Sequence, residues 1–206
     1  MKGRPVGRPF LWQGLPRYFW GAITYGFMMT DAPRLKHILP STPADIDEIF
    51  RLYRLAAAHQ VAVKGTVVWP EFERGLVAQE LAEGRQWKLL VGEDIACVWA
   101  ITFDDPQIWG SRNADPAVYI HRIATNPDFR GRSLVKDIVQ WAIGYARQHQ
   151  KAFVRLDTVG ENHGLIAHYT ACGFTYLGLT ALTDTAGLPA HYHNATVSLF
   201  ELPVAG

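Results

Sequence analysis

The chain has 206 residues, 49% of them hydrophobic and 19% charged, with a formal net charge of +1. A chain of this size buries enough apolar surface to fold unaided. So balanced a charge excludes the strong field that gathers nucleic acid or an anionic membrane, and neither partner is expected. The two cysteines, Cys97 and Cys172, are too few for a secreted disulfide framework, so reduced thiols and a cytoplasmic location are expected.

Residues 1–29 stand apart. They are basic and aromatic (Arg4, Arg8, Phe10, Trp12, Arg17, Trp20) and broken by Pro and Gly. The apolar run at 18–29 is shorter than the about 20 residues a bilayer span needs. It also lacks a signal peptide's apolar core and cleavage site. An amino-terminal extension, flexible or lying ahead of a true start at Met28 or Met29, is therefore expected before one domain over 30–206.

Residues 34–39 read as a short strand. Thr42, Pro43 and Asp45 then make a helix start: a cap, a first-position proline and an acidic first turn. Ile46, Ile49, Phe50, Tyr53 and Ala57 recur at helical spacing. After a loop at 61–69, a second helix is placed from Pro70, with Phe72, Leu76 and Leu81 along it. Strands at 87–91 and 95–103 flank the hairpin turn Gly92-Glu93-Asp94, and Asp104-Asp105-Pro106 ends the second. A strand at 118–125 precedes an amphipathic helix of about four turns marked by Leu134, Ile138, Trp141, Ala142 and Tyr145. Next come a strand at 153–158 and a short helix at 165–171, closed by Gly173 as a left-handed cap. Strands at 174–179 and 196–202 finish the chain, and the long loop at 180–195 is a candidate for function. The order βααβββαβαββ predicts an α/β (α+β) fold: one mixed, mostly antiparallel sheet with helices on both faces.

One stretch carries chemistry. From Ile123 to Val135 a strand passes through a basic, glycine-containing turn into the long helix. The first amides of a helix have no internal acceptor and sit at the positive end of its dipole, which suits phosphate. Gly131 permits close backbone approach, Arg130 and Arg132 add charge, and Ser133 fits a helix N-terminus. A phosphate-bearing ligand across residues 130–135 is predicted; the competing reading is an ordinary strand–helix connection with surface arginines. No Gly-Lys-Ser/Thr follows the turn, and the spaced glycines of a dinucleotide fingerprint are missing, so neither of those sites is expected.

Ile123-Ala124-Thr125, Pro127 and Phe129-Arg130-Gly131-Arg132-Ser133-Leu134 resemble the central motif of the GNAT superfamily of N-acetyltransferases. There an Arg/Gln-x-x-Gly-x-Gly/Ala turn holds the pyrophosphate of acetyl-CoA. Asn162, Tyr169 and Gly173-Phe174 resemble the superfamily's Asn…Tyr-x-x-x-Gly-Phe signature, and the element order matches over residues 34–202. Ser133 stands where the superfamily has a second glycine, and Val135 where it has Gly or Ala. The resemblance implies the acyl-CoA N-acyltransferase fold, acetyl-CoA as donor and no metal. It implies direct acetyl transfer, in a ternary complex, to a primary amine of a small molecule or peptide. Cofactor contacts are implied at Ile123, Ala124, Thr125, Arg130, Gly131, Arg132, Ser133, Leu134, Val135 and Asn162, with Ile123 and Thr125 as backbone partners of the pantetheine arm. Tyr169 is implied as the acid for the leaving thiolate. Two alternatives stay open: a non-catalytic acyl-CoA-binding module, and a degenerate interaction domain. A homodimer is the commonest assembly for such a chain.

His121 is the candidate base. It lies two residues before Ile123, where many GNAT relatives place a glutamate, and imidazole titrates near neutrality. Strand alternation predicts Tyr119, His121, Ile123 and Thr125 on one face and Arg122 on the other. Trp69, Glu71 and Tyr192 lie in the loops that form the acceptor pocket in relatives, and aromatic rings with a carboxylate suit an ammonium. His191 and His193 have no third ligand at metal-site spacing. Asp157 is either a cleft carboxylate or a strand-end group.

Overall fold

A computed structural model describes residues 35–63 and 67–204. The expected extension at 1–29 and part of the predicted loop at 61–69 lie outside the described residues.

Strand β1 (Lys36–Pro40) enters a turn in which the Thr42 amide and hydroxyl both donate to Asp45 Oδ2, at 2.7 and 2.8 Å. That closes a 3-10 turn at Pro43–Asp45 and launches helix α1 (Ile46–Ala62). Its inward stripe is Ile49, Phe50, Leu52 and Tyr53. Helix α2 (Arg74–Ala82) begins at Arg74, later than predicted. Residues 67–73 form no helix, and Trp69 and Phe72 instead pack edge-on against Tyr53, at ring distances of 5.9 and 5.2 Å. Burying those rings outweighs the local helix-start signal of Pro70.

β2 (Gln86–Val91) and β3 (Asp94–Thr102) form the predicted hairpin, with Gly92 at φ +67°. Where only a chain turn was expected, a short helix α3 (Pro106–Trp109) and a 3-10 turn at Gly110–Ala114 follow. Ile108 and Trp109 bury there against Ala117 and Tyr119. β4 (Ala117–Thr125), α4 (Leu134–Gln148), β5 (Phe153–Val159), α5 (His163–Ala171), β6 (Thr175–Ala181) and β7 (Thr196–Pro203) complete the order. Gly173, at φ +104°, ends α5; a Cβ there would stand 3.3 Å from Leu202 Cδ1.

The strands make one seven-stranded sheet, β1-β2-β3-β4-β5-β7-β6, in which only β4 and β5 run parallel. One face buries Leu89, Trp99, Val118, Ile120, Val154 and Leu156 beneath Ile138 and Ala142 of α4. The other buries Val98 and Ala124 beneath α1 and α2, with Trp109, Tyr119 and Leu199 in an adjoining cluster. Arg155 is fully buried at that second face. It lies 4.7 Å over the Trp109 ring and pairs with Asp115 and Glu201 at 2.7 and 2.6 Å. A buried cation requires such partners, and they tie β5 to β7 and to the turn before β4. The described residues form one compact unit. Among the described residues, no helix is long and apolar enough to cross a membrane. Both cysteines are free thiols.

Candidate active site

The sheet opens in its middle. β4 pairs with β5 from Ala117↔Phe153 to Ile120↔Leu156 and no further. Beyond that point β4 stays with β3, and β5 stays with β7. His121 and Asp157 are the first residues past the last parallel pair, one on each wall of the gap. The Asn126 amide donates to Ala96 on the β3 side at 2.9 Å. Alternation therefore turns the amides of Thr125 and Ile123 toward the gap.

A bulge sits beside the opening. The β3–β4 register slips between Val98 and Ala100, and Arg122 takes φ +51°. Left-handed backbone costs a residue with a Cβ roughly 1–2 kcal/mol. Here it is held by a buried ion pair, Arg122 Nη2 to both Glu80 oxygens at 2.5 and 2.6 Å. The guanidinium also lies 5.3 Å over the Phe72 ring. The extra residue reverses the strand's phase. Tyr119, Arg122 and Ala124 pack on the α1–α2 face and its adjoining cluster, whereas Ile123 packs with Val118 and Ile120 beneath α4. Thr125 joins that second set through Cys97 Sγ at 3.2 Å. The predicted single face of Tyr119, His121, Ile123 and Thr125 is thus split by the bulge.

Downstream, Phe129 is buried and anchors the turn. Gly131 takes φ +77° and Ser133 φ +56°. Ser133 holds the cap position of α4 without a side-chain capping bond, its backbone being left-handed rather than extended. The amide of Lys136 bonds the Ser133 carbonyl at 3.0 Å, and the amides from Gly131 to Val135 meet no acceptor among the described residues. Arg130 Nη1 lies 3.3 Å from His59 Nδ1, and the Arg132 guanidinium covers the Phe129 ring at 5.1 Å. Val135 packs its branched side chain against the core beside Leu134. Asn162 spends its side-chain oxygen capping α5, accepting from the Leu165 amide at 3.1 Å. Tyr169 packs against Phe200 and Phe174. Burial raises its pKa above the ordinary phenol value, so it keeps its proton.

On the other side of the gap lies a polar group that the sequence did not bring together. Asp105 Oδ2 is 3.9 Å from His121 Nε2, and both atoms are buried without a hydrogen-bond partner. With Asp157 they place three acceptor atoms within 4.8 Å of one another. The Tyr192 hydroxyl donates to Asp157 at 3.0 Å. Burial is the leading cause of every shift here. It pushes Asp105 up to about 8, helped by Asp157, and Asp157 up to about 6. It pulls His121 down to about 3, reinforced by Arg122 and Arg85. Each group is held toward its neutral form.

A sequence profile of the acetyltransferase (GNAT) family matches residues 51–174. The chain belongs to the GNAT family. It is 30% identical over 77 residues to the uncharacterized N-acetyltransferase YesJ of Bacillus subtilis, a match that takes in 37% of this chain and spans 43% of that relative's length. The fold is similar to a GNAT acetyltransferase of Listeria monocytogenes (TM-score 0.63, 21% identity, 82% of this chain and 94% of that one). It is also similar to the yncA protein of Salmonella typhimurium, solved with its cofactor acetyl-CoA (TM-score 0.60, 12% identity, 84% and 95% of the two chains).

Within this GNAT chain the predicted acceptor residues divide. Tyr192 reaches the gap through Asp157, and its ring lies tilted against His191 at 4.4 Å, which in turn meets Phe72 at 6.1 Å. Trp69 lines a pocket of about 100 Å³ with Phe50, Tyr53 and Phe72. Glu71 lines that same pocket, exposed and paired with Arg54 at 3.4 Å, while the carboxylates at the gap are Asp105 and Asp157. His193 bonds the Leu188 carbonyl at 3.2 Å rather than sharing a ligand with His191. A depression of about 510 Å³ between α3 and the end of β6 is lined by none of the predicted site residues. Asp105 was missed because Asp-Pro after a strand reads as a stop signal.

Proposed function

We propose that this chain is an acetyl-CoA-dependent N-acetyltransferase that acts on a primary amine of a small molecule or peptide. The observation that carries the reading is the gap after the Ile120↔Leu156 pair, with the acceptor-free amides of the α4 turn on the same strand–helix unit. Those amides suit a diphosphate. The Ile123 and Thr125 amides suit an extended pantetheine arm laid along β4, and so bring a thioester to the opening. The amine attacks the carbonyl carbon and the carbon–sulfur bond breaks. Tyr169, which keeps its proton at neutral pH, supplies it to the leaving thiolate.

Melting of the full chain tests this. Acetyl-CoA at a hundred times Kd adds about 2.7 kcal/mol of stability, and ATP or NAD adds none. Acetyl-CoA with a panel of primary amines then releases free thiol. Tyr169→Phe lowers kcat by roughly 10²-fold while the melting shift stays. No shift with acetyl-CoA, or no thiol with any amine, removes the reading.

A further inference from the structure

Resting on that reading, we propose that Asp105, His121 and Asp157 form a tripod that receives the acceptor's ammonium group, with Asp105 as the residue that takes its proton. The three come from separate elements: the turn between β3 and α3, the middle of β4 and the second half of β5. They meet because Thr102 pairs with Tyr119 and because the β4–β5 ladder stops at Ile120 and Leu156. The tripod therefore stands at the mouth of the gap, where a thioester carbonyl would lie.

The spacing admits an ammonium, which the acceptor of the proposed reaction supplies, and lies between that expected for an ammonium and that expected for zinc. Three hydrogen bonds of about 2.8 Å from one tetrahedral nitrogen set their acceptors about 4.6 Å apart. Zinc ligands at about 2.0–2.1 Å would have to stand about 3.3 Å apart. Here Asp105 Oδ2 and His121 Nε2 are 3.9 Å apart, and all three ligand atoms lie within 4.8 Å. Asp105 is only 9% exposed, yet its Oδ2 has no partner. An orphaned carboxyl oxygen that deep costs free energy unless a ligand satisfies it. Its backbone is fixed, since the Asp105 amide donates to Asn113 Oδ1 at 2.7 Å. Tyr192 orients Asp157 from the loop before β7.

The proton count follows. The groups facing Asp105 are Asp157, His121, Tyr119, Tyr192 and its neighbour Asp104. Burial and the negative field of Asp157 and Asp104 hold a proton on the empty site's Asp105, so an ammonium enters as that proton leaves. The Asp105 carboxylate next accepts one proton from the ammonium, and the freed nitrogen lone pair bonds the acetyl carbon. The nitrogen's second proton balances the departing thiolate. Asp105 then returns its proton to solvent, and amide and thiol leave. His121 stays neutral and accepts a hydrogen bond without taking the charge, which reassigns the base expected at that position.

The test compares Asp105→Asn, Asp105→Glu and Asp157→Asn in the full chain. Wild-type kcat/KM for n-butylamine rises with pH through a midpoint near pH 8 and levels off above about pH 9. Asp105→Asn loses roughly 10²-fold in kcat together with that limb. Asp105→Glu restores part of both, and Asp157→Asn raises the amine KM while the limb persists. Equal melting shifts with acetyl-CoA confirm that each variant is folded. A second readout needs no turnover: with coenzyme A bound, saturating n-butylamine lowers the titration midpoint of the Asp105 carboxyl carbon in NMR, and N,N-dimethylbutylamine does not. An Asp105→Asn enzyme with the wild-type limb and kcat overturns the tripod while acetyl transfer stands. So does a midpoint unmoved by n-butylamine, or one equivalent of zinc bound and lost in Asp105→Asn. A wild-type chain that acetylates no amine removes the functional reading instead, and the NMR midpoint then decides the tripod by itself.

Discussion

Ser133 is a residue whose backbone and identity disagree. Its φ of +56° belongs to a region that glycine enters freely and serine enters at a cost. Its side chain makes no capping bond that would offset the cost. Glycine there relieves strain in the folded state but loosens the unfolded chain, so the two effects partly cancel. Ser133→Gly is expected to raise stability by about 0.5 kcal/mol in urea melts and to leave acetyl-CoA binding at least as tight. A loss of stability would mean that the hydroxyl makes a contact the fold needs. Gly131 differs: a Cβ there meets nothing within 4 Å, so only its φ of +77° constrains it.

At the scale of elements, the bulge in β4 matters most and was least readable. Long-period features could be read because the pattern repeats within one segment. Ile138 and Ala142 bury the predicted face of α4, and Gly173 ends α5 in the left-handed form. The bulge has no such local pattern. It exists because Arg122 pairs with Glu80, which lies 42 residues earlier on α2. That partner could not be placed, since the start of α2 is itself set by Trp69 and Phe72 packing on Tyr53. Asp105 hid for the same reason: it reaches His121 only because β3, which it follows, pairs with β4. The fold and the turn into α4 were thus legible, while the meeting of Asp105, His121 and Asp157 at the gap was not. Removing Arg122 leaves buried Glu80 with Gln86 Nε2 at 2.7 Å and Arg85 only at 3.5 Å, so Arg122→Ala is expected to cost about 3 kcal/mol in denaturant unfolding. A change below about 1 kcal/mol would show that the pair is solvated and does not hold the bulge.

Across the whole molecule, the gap is both a breach in the sheet and its main store of suppressed charge. Asp105 and Asp157 are pushed up to about 8 and about 6, while His121 and His191 are pulled down to about 3 and about 4. These shifts make global stability depend on pH in a definite sense. A carboxyl whose folded pKa is raised stabilises the fold at low pH, and that contribution is lost as pH climbs through the folded value. A histidine whose folded pKa is lowered does the opposite, and its stabilisation is complete once pH exceeds the unfolded value of about 6.5. Below about pH 6.5 the two kinds oppose one another. From there to pH 8.5 the histidines and Asp157 complete only the last part of their titration, and Asp105 carries the largest change of the four. Over that interval the native state gives up a proton that the unfolded chain has already lost, so stability falls. The expected loss between pH 6.5 and 8.5 is on the order of 1–2 kcal/mol, read from urea midpoints at constant ionic strength. Asp105→Asn cannot ionise, so its midpoint should stay level where the wild type declines. Parallel declines in the two proteins would mean that Asp105 gives up its proton well below pH 6.5, and that the breach is wetter than its walls imply.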